Sequence, residues 1–203
     1  MCLYAKSTPL VAETDIVCYK VLQSLDGLKR EVDWRTLIAN KEKGIKYLTP
    51  YNYFPMELGE TYDCNGKKYN VDYKCDGYVR VGAGFIHTFS NIEEAFRAIG
   101  ECDMYGAVVV KSIIPKGTRY YEGSMQYEYK NKVSSYASRS FVLGGEDDII
   151  AFTDEEKATK KGEMDDVILN YNGKKYIYKY VGHNLDSIWQ WYEVGNDDER
   201  LVF

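Results

Sequence analysis

Short runs in which apolar and polar positions alternate fill most of the chain, and glycine, proline and asparagine separate them. A period of two predicts strands with one covered face. "DIVCYKVL" (Asp15 to Leu22) is β-branched and aromatic with rough alternation, and predicts a strand. "GFIHTFS" (Gly84 to Ser90) predicts another. Ala107 to Ile114 is almost continuously apolar, which predicts a central strand covered on both faces. Pro115 stops it, and "PKGT" makes the exit turn. "SSYASRSFVLGG", closed by Gly144-Gly145, and the short "DDIIAF" predict two more strands. The string "NGKKY" occurs twice, at Asn65 to Tyr69 and at Asn172 to Tyr176. Asn-Gly supplies the positive φ angles of a tight type I′ turn, so "TYDCNGKKYNVDY" and "DVILNYNGKKYIYKYVG" both predict hairpins. The flanks differ, so the two copies read as shared turn chemistry and not as an internal repeat.

The period changes clearly in one stretch. In "NIEEAFRAIGE", Ile92, Ala95, Phe96 and Ile99 fall on one face, which predicts an amphipathic helix at about 91–100. Ser90 is the expected N-cap, with Glu93 three residues later completing a capping box, and Gly100 the expected end. "DWRTLIA" reads as a short helix or an irregular segment. Thr153, with Glu156 three later, reads as the cap of a short exposed helix or charged loop in "TDEEKATKKGEMDD". "YLTPYNYFPMELGETY" is aromatic and holds Pro50 and Pro55, which predicts a packed loop. No Pro-, Gly- or Ser-rich linker divides the chain. The expectation is a single α+β domain over 1–203, mostly antiparallel or mixed β-sheet, with one clear helix and few short ones.

Composition adjusts this picture in three ways. The 203 residues are nearly half apolar, enough for a sizeable core. The 20 tyrosines fit half-buried strand faces first and binding surfaces second. The net charge of −5 and the absence of a long Lys/Arg run argue against general nucleic-acid binding. An acidic surface suits solubility or a basic partner. "MCLYAKSTPLVAETD" lacks the basic start and apolar run of a signal peptide, and no apolar stretch is long enough to span a bilayer, so a cytoplasmic protein is expected. The five cysteines (Cys2, Cys18, Cys64, Cys75, Cys102) are odd in number and widely spaced, a pattern of reduced thiols. Only Cys64 and Cys75 fall where a hairpin would bring them together, with no second pair to complete a zinc site.

Candidate chemistry is sparse. The only histidines are His87 and His183, so a Ser or Cys nucleophile has few bases to choose from. Alternation puts His87 on the face of Phe85 and Phe89, where it reads either as a packed structural histidine or as a functional one. Thr88 and Ser90 flank it, and these three are the candidate catalytic residues, with Ser138. His183 in "VGHNLD" reads as a loop residue. No "GxSxG" elbow surrounds a serine, and "GAG" at Gly82 to Gly84 precedes a strand, the wrong order for a phosphate cradle. "GEDD" and "EMDD" read as solvated acidic turns. No metal site is expected.

Two resemblances add to this reading. The order "CYKVL", "HTFSNIEEAF", "VVVKSIIPKGTRYY", "SYASRSFVL" resembles the mono-ADP-ribosyltransferases. That resemblance implies that Lys20 stands at the basic NAD-contacting position and Thr88 and Ser90 near the hydroxyl motif. Ser138 and Ser140 then stand where the family places two glutamates. Tyr19, Lys20, Arg119 and Tyr136 are the candidate ligand contacts, and NAD is a ligand under this alternative alone. A serine cannot supply the charge that stabilises an oxocarbenium-like state. Over Asp15 to Gly123, "YKVL", "TPYNYFPMELGETY", "GFIHTFSNIEEAF" and "VVVKSIIPKGTRYYEG" resemble an uncharacterised domain found beside pentapeptide repeats in phage and bacterial proteins. That resemblance implies a phage or mobile-element setting and a host cytoplasm. The leading expectation is a non-enzymatic binding or accessory protein acting by protein–protein contact. Its surface would be built from Tyr47, Tyr51, Tyr53 and Phe54, unless these aromatics are core. An acidic inhibitor of a host defence nuclease is a further alternative.

Overall fold

The computed structural model describes residues 3–25, 39–50, 52–73, 77–127, 131–154, 167–181, 188–195 and 200–201. Sheet dominates them. The first strands are β1 (Leu3–Lys6), β2 (Leu10–Val11), β3 (Ile16–Ser24), β4 (Tyr47–Leu48), β5 (Pro55–Met56) and β6 (Thr61–Asp63). Next come β7 (Val71–Tyr73), β8 (Tyr78–Val81) and β9 (Ile86–Phe89), then helix α1 (Ile92–Glu101). The remainder are β10 (Ala107–Ile114), β11 (Arg119–Tyr127), β12 (Asn131–Ser138), β13 (Ser140–Val142), β14 (Ile149–Thr153), β15 (Ile168–Tyr171), β16 (Lys174–Val181) and β17 (Ile188–Glu193).

β10 occupies the bounds expected for it. Its first four residues are all buried, and it pairs with β3 along its full length on one side and with β14 and β13 on the other. From β3 the antiparallel ladder continues through β9, β12, β11, β1, β8 and β7. From β14 it continues through β15, β16 and β17. Two apolar clusters lie on the two faces of β3. Tyr19 and Val21 join the cluster that α1 covers with Ala95, Phe96 and Ile99. Cys18 and Leu22 join a second cluster with Val110, Phe141, Leu143 and Met56. Alternation therefore aims Lys20 toward the second cluster.

Several expectations meet the structure differently. The second Asn-Gly forms its hairpin: Asn172 and Gly173 both take positive φ, and β15 pairs with β16. The first does not. Gly66 makes a turn at φ 78, but β6 pairs with β13 and β7 with β8. Tyr62 packs its ring 6.2 Å from Phe141, so burial decides the partner of β6 over local turn chemistry. The N-cap of α1 is Asn91, not Ser90; Asn91 Oδ1 accepts the Glu94 amide at 2.9 Å. Ser90 is already committed, since its amide and hydroxyl both donate to Ser134 O. Thr153 ends β14, with its buried hydroxyl donating to Met104 O and accepting from the Ala107 amide, and the segment it is expected to cap lies outside the described residues. Arg139 divides "SSYASRSFVLGG" into β12 and β13, and the exit segment "RYYEGSMQY" is a strand in its own right. "DWRTLI", the segment after Asp154, Cys2, Cys75, Tyr51 and His183 lie outside the described residues.

Gly100 does not end the helix but lies inside it, buried. A Cβ there would stand 2.5 Å from the Tyr178 ring, so the missing side chain lets β16 close on α1. The same closure is fixed by Trp191 Nε1 donating to Phe96 O at 3.1 Å and Tyr178 Oη donating to Glu101 at 3.0 Å. Gly100→Ala should therefore lower stability by about 1–3 kcal/mol despite alanine's better helix propensity. Urea denaturation checks this; an unchanged or raised midpoint would show that the ring is free to shift.

Candidate functional site

Each strand has two hydrogen-bonding edges, and the second edge of β3 is shared. β9 meets it at the pair Tyr19–Phe89, and β4 meets it at Gln23–Leu48 and Ser24–Tyr47. Between those contacts, among the described residues, no strand pairs with Lys20, Val21 or Leu22 on that edge. The Ser24 amide donates to Gly106 O and the Leu25 amide to Lys46 O, so even positions of β3 address β10 and odd positions address the second edge. In an antiparallel ladder a residue's N–H and C=O point the same way, so the Val21 pair points into the gap. The same logic applies across the gap. Ser90 donates to β12, which aims the odd residue His87 toward β3.

A cavity of about 350 Å³ occupies this gap. Lys20, Val21, Ile86, His87 and Phe89 line it from the strands. Thr49, Pro50, Asn52 and Phe54 line it from the β4–β5 connection, and Tyr62, Asp63, Cys64 and Lys67 from β6 and the turn after it. Phe54, Asn52, Asp63 and Lys67 are exposed at its mouth, whereas Lys20 is only 8% exposed.

Lys20 is the unusual group. Its Nζ donates to His87 O at 2.7 Å, and among the described residues no carboxylate pairs with it. Burial brings its pKa down to about 8, against a slight opposing pull from Cys18. An ammonium has three donors, and one carbonyl satisfies one of them. His87 is pushed down to about 4, first by burial and then by the Lys20 charge. It is neutral at pH 7. Nε2 lies 3.4 Å from Gly82 O, a pure acceptor, which places the ring proton on Nε2; the buried Nδ1 has no partner among the described residues.

The other sequence candidates divide by face. Thr88 and Ser138 are wholly buried, and among the described residues neither Thr88 Oγ1 nor Ser138 Oγ makes an ordinary hydrogen bond, although the Cys18 thiol lies beside Thr88. Burial pushes that thiol up to about 11, so it is an inert S–H at neutral pH. Tyr136 packs against the second cluster with its ring 5.6 Å from Tyr120. Lys20, His87, Thr88, Tyr136 and Ser138 thus come together on three adjacent strands, β3, β9 and β12. Tyr19 faces the α1 side, Ser90 is spent on Ser134, and Arg119 is exposed at the start of β11. Of the loop aromatics, Tyr47 packs against the second cluster and Tyr53 against Leu25 and Leu48. Phe54 is 49% exposed.

Sequence reading missed Arg139. It is 8% exposed, and its guanidinium lies 5.2 and 5.3 Å from the Tyr69 and Phe85 rings. It donates to Gly84 O, Cys64 O and, at 3.2 Å, Lys67 O. One side chain therefore fixes the wall of the cavity that Cys64, Lys67, Gly84 and Phe85 supply. The only signal in the sequence is a charge interrupting a run of small and apolar residues.

Among the described residues no group of three His, Cys, Asp or Glu side chains is placed to hold a metal, and no helix is long and apolar enough to cross a membrane. The chain matches no protein-family model, no curated protein and no solved structure.

Two stability predictions follow from these side chains. A lysine whose folded pKa is below its unfolded value destabilises the fold wherever it is charged. The penalty, about 3 kcal/mol here, is complete below pH 8 and disappears as pH rises toward 10.5. Lys20→Met should raise stability at pH 7 by about 1–3 kcal/mol and remove the part of the pH dependence between 8 and 10.5 that Lys20 causes. Urea titrations of both proteins at pH 7, 8.5 and 10 check this; a less stable variant at pH 7 would contradict it. Arg139→Lys should cost about 2–4 kcal/mol, because an ammonium cannot reproduce a planar fork reaching three carbonyls between two rings. A melting temperature within a degree of the native one would contradict the clamp.

Proposed function

We propose that this chain is a non-enzymatic binding protein whose site is the gap between β3 and β9, and that the gap takes a ligand with an anionic head and an apolar body. The observation that carries this is Lys20: a buried ammonium facing a cavity, with one carbonyl partner and no carboxylate among the described residues. Buried charges are ordinarily paired, and an unpaired one at a cavity wall is offset when an anion arrives. The rest of the lining supports an apolar body, with Ile86 and the buried Met56, Phe89, Met104 and Met125 among it. Methionine adapts to irregular shapes, so the lining suits a class of ligands more than one rigid shape. Exposed Phe54 at the mouth gives the expected protein–protein role a place, since a partner segment entering the gap passes over it.

A second reading is favoured by one specific observation. Lys20, Thr88 and Ser138, assigned by resemblance to mono-ADP-ribosyltransferases, lie on three strands that adjoin in the order β3, β9, β12. In that reading the α+β domain binds NAD. With serine at 138 and 140, it lacks the carboxylate that transfer needs.

Calorimetric titration with decanoate at pH 7 tests the first reading. The native protein should bind it, and Lys20→Met should bind it about tenfold or more weakly, the worth of one charged hydrogen bond. Equal binding by both proteins would remove Lys20 from recognition and end the reading. NAD titrated in parallel discriminates the second: heat that disappears in both Lys20→Met and Thr88→Val supports it, and no heat removes it.

A further inference from the structure

We propose that the anionic head is the C-terminal carboxylate of a partner polypeptide, whose last residues lie along β3 as a short added strand. This rests on the reading of the gap as an anion site and names its ligand class. Lys20 alone would accept any anion; the backbone beside it is more selective. Val21 directs both its N–H and its C=O into the gap, and His87 directs its N–H there from the facing strand, while its C=O is taken by Lys20. An unpaired edge with a donor and an acceptor from one residue is what an extended chain bonds to, and a hydrocarbon acid has nothing to give the Val21 carbonyl. Among the described residues, the gap between the pairs Tyr19–Phe89 and Gln23–Leu48 leaves Lys20, Val21 and Leu22 without a partner strand on that edge, a length of about 10 Å, which fits two or three extended residues. Beside Lys20 the pair Tyr19–Phe89 closes the gap, so the inserted chain must end there, and a chain that ends there presents a carboxylate. Charge complementarity agrees: Lys20 is at the closed end and Lys67 at the mouth. Side chains of the inserted residues alternate between the two faces of the sheet, one toward Met104 and Met125 and the other toward Met56, which selects apolar residues.

The test uses the full chain labelled with nitrogen-15 and three probes: acetyl-Ala-Val-Leu with a free carboxylate, its C-terminal amide, and decanoate. The free-acid peptide should shift the Val21 and His87 amide resonances and slow hydrogen exchange at Val21. Its amide should bind at least tenfold more weakly, and Lys20→Met should lose the same factor for the acid while retaining its own dispersed spectrum. Equal binding of acid and amide would overturn the carboxylate assignment. Decanoate binding through Lys20 with no effect from either peptide would overturn the peptide while leaving the anion site standing. No response to any of the three would overturn both.

Discussion

The structure depends on the edge-sharing of β3. One edge is fully used: eight consecutive residues from Ile16 to Gln23 pair with Ile114 to Ala107, joining two largely apolar strands. The other edge is divided between β9 at one end and β4 at the other, which start from opposite parts of the molecule. β9 is held in place by α1 behind it and by β12 beside it, and β4 by its small hairpin with β5. Neither can extend to meet the other without giving up its own partners. The gap follows from that competition, and the cavity, the buried lysine and the open backbone groups follow from the gap.

Sequence pattern made the long strands and the helix legible because each carries its own signal. Ala107 to Ile114 is apolar but for Lys111 and Ser112, and Ile92, Ala95, Phe96 and Ile99 are spaced for one helical face, so neither needs knowledge of the rest of the fold. What the pattern misjudged was decided by distant partners. Asn65-Gly66 and Asn172-Gly173 are the same dipeptide in the same string. One makes a hairpin because its flanks, Ile168 to Tyr171 and Lys174 to Val181, are two adequate strands. The other does not, because Tyr62 finds Phe141 about eighty residues away. The helix start shows the same on a smaller scale: Ser90 is a good cap by type, but the ladder to β12 claims it first and Asn91 takes over.

The site was partly legible for a different reason. Lys20, reached only through the mono-ADP-ribosyltransferase resemblance, is a charge in an apolar strand, His87 is one of two histidines in the chain, and the two are neighbours. Arg139 is the same kind of anomaly, yet its role could not be read, since the carbonyls of Cys64, Lys67 and Gly84 carry no sequence signal. The contrast between the two buried cations separates structure from function. Arg139 has three carbonyl partners and two aromatic faces, so its charge is distributed over the wall it braces. Lys20 has one partner and a cavity.

Two local costs coincide in the gap. A strand edge without a partner leaves backbone groups unsatisfied, and a desolvated ammonium without an anion leaves charge unsatisfied. Either could be removed separately, by a few more residues of β9 pairing or by an apolar residue at position 20. A ligand that offers only charge corrects Lys20 and leaves Val21 as it was; one that offers only backbone corrects Val21 and leaves Lys20. An extended chain ending in a carboxylate satisfies both at once, in the order in which the gap presents them from mouth to closed end.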